Sequence, residues 1–165
     1  MITNLEEIKK LGELNENENL RFRTFLKNRS SYKTDKIVHG LYERISKEID
    51  CTTCGNCCKC LKTGVNKSDI IRLSGILNLS VEKMREQYIE KDNVGGDVIK
   101  TLPCLFLKDL KCSIYEFRPD DCKSSPHLHK KDIASRLWGV IDNYSICPIV
   151  FNVFEELKIE YNFKK

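Results

Sequence analysis

The stretch Cys51-Thr-Thr-Cys54-Gly-Asn-Cys57-Cys58-Lys-Cys60 decides how the rest of this sequence is interpreted. It holds five of the nine cysteines in a chain of 165 residues. A two-residue spacer lets the chain curl so that two sulfurs reach one metal ion, at about 2.3 Å for zinc. Neighbouring side chains of an extended segment point apart, so we expect Cys57 and Cys58 to serve two different sites more easily than one. The stretch predicts a thiolate metal centre.

Four more cysteines lie in the C-terminal half of the chain: Cys104, Cys112, Cys122 and Cys147. Two four-thiolate sites need eight cysteines, which leaves Cys60 as the natural spare. Cys122 and Cys147 lie beside helix-start signals, with Pro119 at a first helical position and Cys147 as an N-cap before Pro148. A helix N-terminus stabilises the thiolate, which is the form that binds metal.

Composition limits the other classes of function. About 41% of the residues are apolar and 32% are charged, and no apolar run is long enough to cross a bilayer. Residues 1–7 carry acids where a secretory signal carries bases, so we expect a cytoplasmic protein whose thiols are reduced rather than paired in disulfides. The net charge of +4 is spread along the chain, which gives no strong nucleic-acid signal. We expect a metal ion as partner and no membrane, and a protein partner stays open.

Helical spacing of apolar residues dominates the pattern. It predicts helices over residues 19–28 and 32–50, then two more with Ser68 and Ser80 as N-caps. Trp138 falls in the apolar pattern of its neighbours and is expected in the core. A short hairpin is predicted from Cys104-Leu-Phe-Leu107 and Cys112-Ser-Ile-Tyr115, with a cysteine opening each strand.

The predicted fold is therefore mainly α: a small single domain with a cysteine-rich metal-binding centre and a short β-hairpin. We expect residues 1–50 to be an N-terminal helical extension and residues 51–165 to be the cysteine-cluster metal-binding domain, packed as one compact unit. An isolated two-stranded hairpin is marginal in water, so a bound metal would have to brace it.

With these residues assembled, the chain resembles the CxxCxxCC cysteine-cluster family of zinc- or iron-chelating proteins (YkgJ-like). The matching segments are Cys51–Cys58, Ser68–Ser74, Pro103–Leu107, Cys112–Pro119, Cys122 and Cys147-Pro148. The resemblance implies these metal ligands: Cys51, Cys54, Cys57, Cys58, Cys104, Cys112, Cys122 and Cys147. Cys60 belongs to no family motif.

Two kinds of metal site stay open at this stage. One or two Zn²⁺ ions suit all-sulfur sites. An iron–sulfur cluster is the alternative, because Cys51-x2-Cys54-x2-Cys57 has a ferredoxin-type spacing and Cys147-Pro148 could supply a remote ligand. Some proteins similar to the family are flagellin lysine N-methylases, so the alternative function is an electron carrier or a component of a modifying enzyme such as a protein lysine methylase. No glycine-rich loop for S-adenosylmethionine is visible.

The histidines and cations are weaker candidates. His127 or His129 could replace a cysteine ligand or act as an acid or base beside a nucleophilic cysteine, although an exposed loop histidine is the commoner case. No catalytic residue and no residue binding an organic cofactor can be assigned from the sequence. Arg118 is the cation best placed to hydrogen-bond a sulfur, because Pro119 fixes the backbone behind it.

Overall fold

Helices dominate the computed structural model, which describes residues 1–164. The described helices are α1 (Leu5–Leu14), α2 (Glu16–Lys27), α3 (Ser31–Glu48), α4 (Asn56–Cys60), α5 (Lys67–Ile76), α6 (Val81–Tyr88), α7 (Asp120–Ser124), α8 (Leu137–Tyr144) and α9 (Pro148–Glu160). Four short strands form two antiparallel pairs: β1 (Ile89–Lys91) with β2 (Asp97–Ile99), and β3 (Leu107–Lys108) with β4 (Lys111–Cys112). The prediction of a mainly α chain with a short hairpin is confirmed.

The chain divides into two compact units, which are described separately below. Unit 1 comprises residues 1–51 and 126–165, and unit 2 comprises residues 52–125. Packing thus places residues 126–164 with the N-terminal helices. The assignment of residues 51–165 to one metal-binding domain concerns function rather than packing, and it stays a prediction.

Unit 1 is built around the packing of α3 against α9. Its core is a single cluster of apolar residues from α1, α2, α3, α8 and α9. Phe22 lies at the centre, fully buried, with its ring 5.2 Å from that of Phe154 and 4.8 Å from that of Phe163. The predicted start of α9 is confirmed: Cys147 is the N-cap, Pro148 is the first helical residue, and the helix buries Val150, Phe151, Phe154 and Leu157.

A buried charge network also stabilises unit 1. Lys158 is only 5% exposed, and its ammonium group lies 2.8 Å from Glu18 and 2.6 Å from Glu155. The Tyr144 hydroxyl donates to the same Glu155 carboxylate at 2.7 Å. A buried lysine would be costly without such partners, so the network connects α2, α8 and α9 at defined positions.

The prediction that Trp138 lies in the core is wrong. Its side chain is 54% exposed, and the Arg23 guanidinium lies over the ring at 3.9 Å. The buried residues of α8 are Leu137, Val140 and Tyr144, which follow helical spacing from Leu137. A residue one position after Leu137 is turned by about 100° from that face, so Trp138 points outward.

Unit 2 has a smaller core, formed by Val65, Ile70, Leu73, Met84, Ile99, Phe106 and Ile114. Ser80 caps α6 as predicted, since its side chain accepts from the Lys83 amide at 3.2 Å. The predicted cap of α5 is wrong. Asn66, two residues before Ser68, accepts from the Asp69 amide at 2.8 Å, and Asp69 accepts from the Asn66 amide at 3.1 Å. This reciprocal capping box satisfies two helix-end amides at once.

The predicted hairpin is present but shorter and shifted. Leu107 pairs with Cys112 and Lys108 with Lys111, so Cys104 precedes β3 and Cys112 ends β4. Asp109 and Leu110 both have positive φ, which matches the tight two-residue turn of a hairpin. A second hairpin pairs β1 with β2 in antiparallel fashion.

No described helix combines the length and the apolar character that crossing a membrane requires.

Two glycines in unit 1 provide a test of its packing. A Cβ at Gly12 in α1 would lie 2.5 Å from the Ser145 Cβ, whereas a Cβ at Gly40 in α3 would meet nothing within 4 Å. We expect Gly12→Ala to lower the free energy of unfolding by about 1–3 kcal/mol through overpacking. We expect Gly40→Ala to raise it by about 0.5–1 kcal/mol, because alanine suits a helix interior better.

The free energies can be measured by urea unfolding followed by circular dichroism. Equal effects of the two substitutions would contradict the close approach of α1 to Ser145.

Candidate metal centre

The cysteine motif turns sharply around one glycine. A 3-10 turn covers Cys51–Thr53, and α4 begins after Gly55. Gly55 has φ +61°, and a Cβ there would lie 2.6 Å from the Leu110 carbonyl oxygen in the turn between β3 and β4. Only glycine tolerates both conditions easily. Gly55 therefore allows the start of α4 to fit against the β3–β4 hairpin.

Cys57 and Cys58 interact directly, contrary to the expectation that they point apart. They lie in the first turn of α4, where successive side chains are about 100° apart rather than on opposite faces. The Cys58 thiol donates to the Cys57 sulfur, and this bond lowers the pKa of Cys57 to about 6 despite the opposing effect of burial. The backbone amides of both residues lower the pKa of Cys57 further. Cys57 is thus the cysteine most ready to act as a thiolate.

Three other cysteines of unit 2 lie near this pair. The Cys104 amide donates to the Cys58 carbonyl at 2.8 Å, which fixes the chain before β3 against α4. Burial raises the pKa of Cys104, and the thiolates of Cys112 and Cys57 add to the rise. Burial likewise raises the pKa of Cys122 to about 11, where the Cys104 and Cys57 thiolates contribute. The charges of neighbouring cysteines therefore act on both Cys104 and Cys122.

The pKa of Cys58 is also raised, and three effects contribute. Its proton is held in the bond to Cys57, burial disfavours its charged form, and the thiolates of Cys57, Cys104 and Cys122 repel a further negative charge. We call the five cysteines that interact in this way the sulfur cluster: Cys57, Cys58, Cys104, Cys112 and Cys122. Ionising them together accumulates negative charge that a metal cation would neutralise.

The donor chemistry of the sulfur cluster fits a thiophilic metal. Thiolates are preferred by Zn²⁺ and by iron–sulfur clusters. In the side-chain arrangement described for residues 1–164, no three histidine, cysteine, aspartate or glutamate side chains already stand in positions that could hold one ion. The cysteines therefore fit such a metal by the type of their donor atoms and by their interactions with one another. Their present arrangement defines no coordination geometry.

Cys54 and Cys60 are placed differently from the sulfur cluster. Cys54 is half-buried just before Gly55. Cys60 is exposed at the end of α4, and its thiol donates to the Asn56 side chain at 3.8 Å. That contact is local to one turn of helix. The assignment of Cys60 as a bystander stays a prediction.

Cys51 and Cys147 belong to unit 1. Burial raises the pKa of the Tyr42 phenol, and the charges of the Cys51 and Cys147 thiolates raise it further. The ring of His129 lies 6.2 Å from the Tyr42 ring. His127 has φ +63°, and its carbonyl accepts from Arg136 at 2.9 Å. The ring of the candidate histidine His129 thus lies beside the Tyr42 ring.

Arg118 contacts Tyr115 and not a cysteine sulfur, contrary to the prediction from the sequence. Its guanidinium carbon lies 3.6 Å from the centre of the Tyr115 ring, and its Nη1 donates to the Tyr115 carbonyl at 2.6 Å. The Thr63 hydroxyl, by contrast, does lie beside a cysteine: its Oγ1 is 3.4 Å from the Cys122 sulfur. No local pattern could have indicated Thr63, because the contact joins residues 59 positions apart.

One known protein family matches the part of the chain that carries most of these cysteines. Residues 50–143 match the CxxCxxCC family, whose model is described as "Putative zinc- or iron-chelating domain". The match covers more than half of the chain, so the chain belongs to this family, as its resemblance implied. The matched range includes the sulfur cluster and ends before Cys147. Neither a curated protein nor a solved structure is significantly similar to the chain.

Gly55 and Gly95 provide a test of the turn that positions α4. Both have positive φ, but a Cβ at Gly95 would meet nothing within 4 Å. We expect alanine at either position to cost about 1–2 kcal/mol from the left-handed backbone alone. Gly55→Ala must also displace the Leu110 carbonyl, so it should lower the unfolding temperature distinctly more than Gly95→Ala. Equal melting temperatures for the two variants in thermal unfolding would refute the close approach.

Proposed function

From this family membership we propose that the chain binds zinc through cysteine thiolates. The observation that carries the proposal is the sulfur cluster, in which α4, the β3–β4 hairpin and α7 each contribute cysteines to one neighbourhood of unit 2. We propose one or two Zn²⁺ ions, held by these ligands: Cys51, Cys54, Cys57, Cys58, Cys104, Cys112, Cys122 and Cys147. Cys51 and Cys147 belong to unit 1, where their charges add to burial in raising the pKa of Tyr42.

Polar groups around the sulfurs support thiolate ligands. The backbone amides of Phe106 and Leu107 oppose the rise in the pKa of Cys104, and backbone amides of α4 lower the pKa of Cys57. The Thr63 hydroxyl is placed to donate to Cys122. Such hydrogen bonds spread the charge of a thiolate site and orient its ligands.

Zinc in this position would act as a structural brace. A closed four-thiolate site leaves no coordination position for a substrate, so it stabilises the fold. Apparent binding free energies of structural zinc are about 10–16 kcal/mol, comparable to the ~5–15 kcal/mol net stability of a whole domain. The small core of unit 2 and its two short hairpins are the parts of the chain that gain most from such a brace.

An iron–sulfur cluster is the second candidate, favoured by the spacing of Cys51, Cys54 and Cys57. A chain carrying one would serve as an electron carrier or as a component of a modifying enzyme. The run departs from the ferredoxin pattern, because Cys60 follows Cys57 after two residues instead of three and no proline comes next. We therefore place zinc first.

Metal analysis of anaerobically purified full-length protein tests the choice of metal. We expect a colourless sample with zinc at one or two equivalents per chain. A brown sample that contains iron and acid-labile sulfide would replace zinc with the iron–sulfur alternative. A sample that takes up neither metal would overturn the proposed function.

Single cysteine variants separate ligands from bystanders. We expect Cys112→Ser and Cys54→Ser each to lose at least one equivalent of metal, because a hydroxyl is a poor substitute for a thiolate. Cys60→Ser is the matched control and should keep full metal content. Metal-to-protein ratios measured on the three variants decide the assignment, and loss of metal in Cys60→Ser alone would show that the wrong eight cysteines have been chosen.

Metal removal should affect the two units unequally. The core of unit 1 needs no metal, whereas unit 2 has few buried residues. After chelation we expect protease to cleave within residues 52–125 first, while residues 1–51 and 126–164 stay protected. The fragments can be identified by mass spectrometry, with zinc re-addition as the control. The same cleavage pattern with and without metal would show that the metal is not structural.

A further inference from the structure

We propose that Asp69 and Arg72, which lie nearly one turn apart on α5, form a clamp that positions Cys122 for metal binding. The inference rests on the proposed function, because it needs Cys122 to be a ligand. It concerns the segment Ser68–Ser74, which contains none of the proposed metal ligands. All the contacts that carry it lie within unit 2.

Asp69 is a buried acid with a full set of partners. It is 1% exposed, and it forms an ion pair with the Arg72 guanidinium. One carboxylate oxygen also accepts from the Asp120 amide at 3.2 Å, and the other accepts from the Asn66 amide. A carboxylate buried to this extent is tolerated only with such partners. Asp69 therefore connects the start of α5 to the first residue of α7.

Arg72 holds the chain that leads into α7. Its Nε donates to the Phe117 carbonyl at 3.0 Å, and its Nη2 donates to the Arg118 carbonyl at 3.1 Å. The same nitrogen lies 3.6 Å from an Asp120 carboxylate oxygen. The planar guanidinium can make these contacts simultaneously, which a single ammonium group cannot.

Neighbouring contacts complete the attachment of α7. The Asn66 side chain donates to Asp120 at 3.0 Å, and the Gly64 amide donates to Asp121 at 3.2 Å. With five residues, α7 is far too short to be a stable helix by itself, so its position depends on the residues that it contacts. Cys122 lies in this helix, and its position follows from that of residues 117–121.

An ordinary stabilising ion pair would have different consequences from a clamp. Loss of a general stabilising contact loosens all the cysteines of unit 2 together. Loss of a clamp on residues 117–121 changes the reactivity of Cys122 more than that of Cys57, which lies in α4 and depends on other contacts. The two roles can therefore be separated by measuring the two thiols side by side.

The central experiment compares Arg72→Lys with Arg85→Lys in the full-length zinc-loaded protein. Arg85 also pairs with a carboxylate in unit 2, that of Asp97 at 3.0 Å, but Asp97 lies in β2 and not beside α7. Zinc affinity is measured by competition with a chromophoric chelator. Alkylation rates of Cys122 and Cys57 are measured by peptide mass spectrometry.

We expect Arg72→Lys to weaken zinc binding about 10–100-fold, as changes behind a metal ligand typically do. We also expect it to speed alkylation of Cys122 relative to Cys57. Arg85→Lys should match the wild type.

Asp69→Asn is the second variant, because it keeps the shape of the side chain while removing the charge that pairs with Arg72. We expect the same selective effect on Cys122. Wild-type zinc affinity and a wild-type ratio of alkylation rates in both variants would overturn the clamp. A parallel rise in the alkylation of Cys57 and Cys122 would also overturn it, since that result indicates general loosening.

A Cys122→Ser variant distinguishes failure of the clamp from failure of the proposed function. Loss of zinc in this variant, together with unchanged binding in Arg72→Lys and Asp69→Asn, would remove the clamp and leave the metal site intact. Full zinc content in Cys122→Ser would overturn the assignment of Cys122 as a ligand, and the clamp with it.

Discussion

Crowding of cysteine sulfurs is the constraint on which unit 2 depends. The hydrogen bond to Cys57 raises the pKa of Cys58, and burial and neighbouring thiolates raise the pKa of Cys58, Cys104 and Cys122, because each additional negative charge is placed near others in a partly desolvated region. Only Cys57 is shifted the other way, since it receives the Cys58 hydrogen bond. Without a cation, these raised pKa values favour the protonated thiols of Cys58, Cys104 and Cys122. The proposed zinc removes this conflict, since it neutralises the thiolates that repel one another.

The two units illustrate different ways of stabilising a small fold. Among the described residues, the buried apolar core of unit 1 has 18 members and that of unit 2 has seven. Unit 1 can rely on the packing of α3 against α9 and on the buried Lys158 network. Unit 2 has few apolar residues to bury, so its segments are attached to one another mainly by polar contacts and by the sulfur cluster. A metal cross-link contributes most where the hydrophobic contribution is smallest.

Polar contacts in unit 2 connect elements that are far apart in the sequence. Asp69 and Arg72 on α5 bind the chain before α7, and Gly55 brings the start of α4 against the turn between β3 and β4. These contacts support segments of unit 2 that carry cysteines. A metal site needs its ligands placed to within a fraction of an ångström, and rigid supporting contacts are how proteins achieve this.

Local patterns in the sequence were sufficient for several elements. The apolar spacing that predicts a helix over residues 32–50 corresponds to α3, and the N-caps Ser80 and Cys147 are found where expected. The spacing of the cysteines was enough to recognise the family. These features depend on residues within a turn or two of one another, so they do not require knowledge of the fold.

Other features differed from what the local patterns predicted, and some of them depend on contacts between distant residues. Asn66 rather than Ser68 caps α5 because Asp69 can return its hydrogen bond, and Trp138 is exposed because the face of α8 that begins at Leu137 meets the core. The bond from Cys58 to Cys57 depends on α4 forming a helix after Gly55, and the contact of Thr63 with Cys122 joins segments that the sequence keeps apart. The sequence by itself determined the helices, the cysteine motif and the family of this protein. Only the tertiary structure decided which cysteines interact and what supports them, because electrostatic effects and hydrogen bonds depend on distance in space and not on separation along the chain.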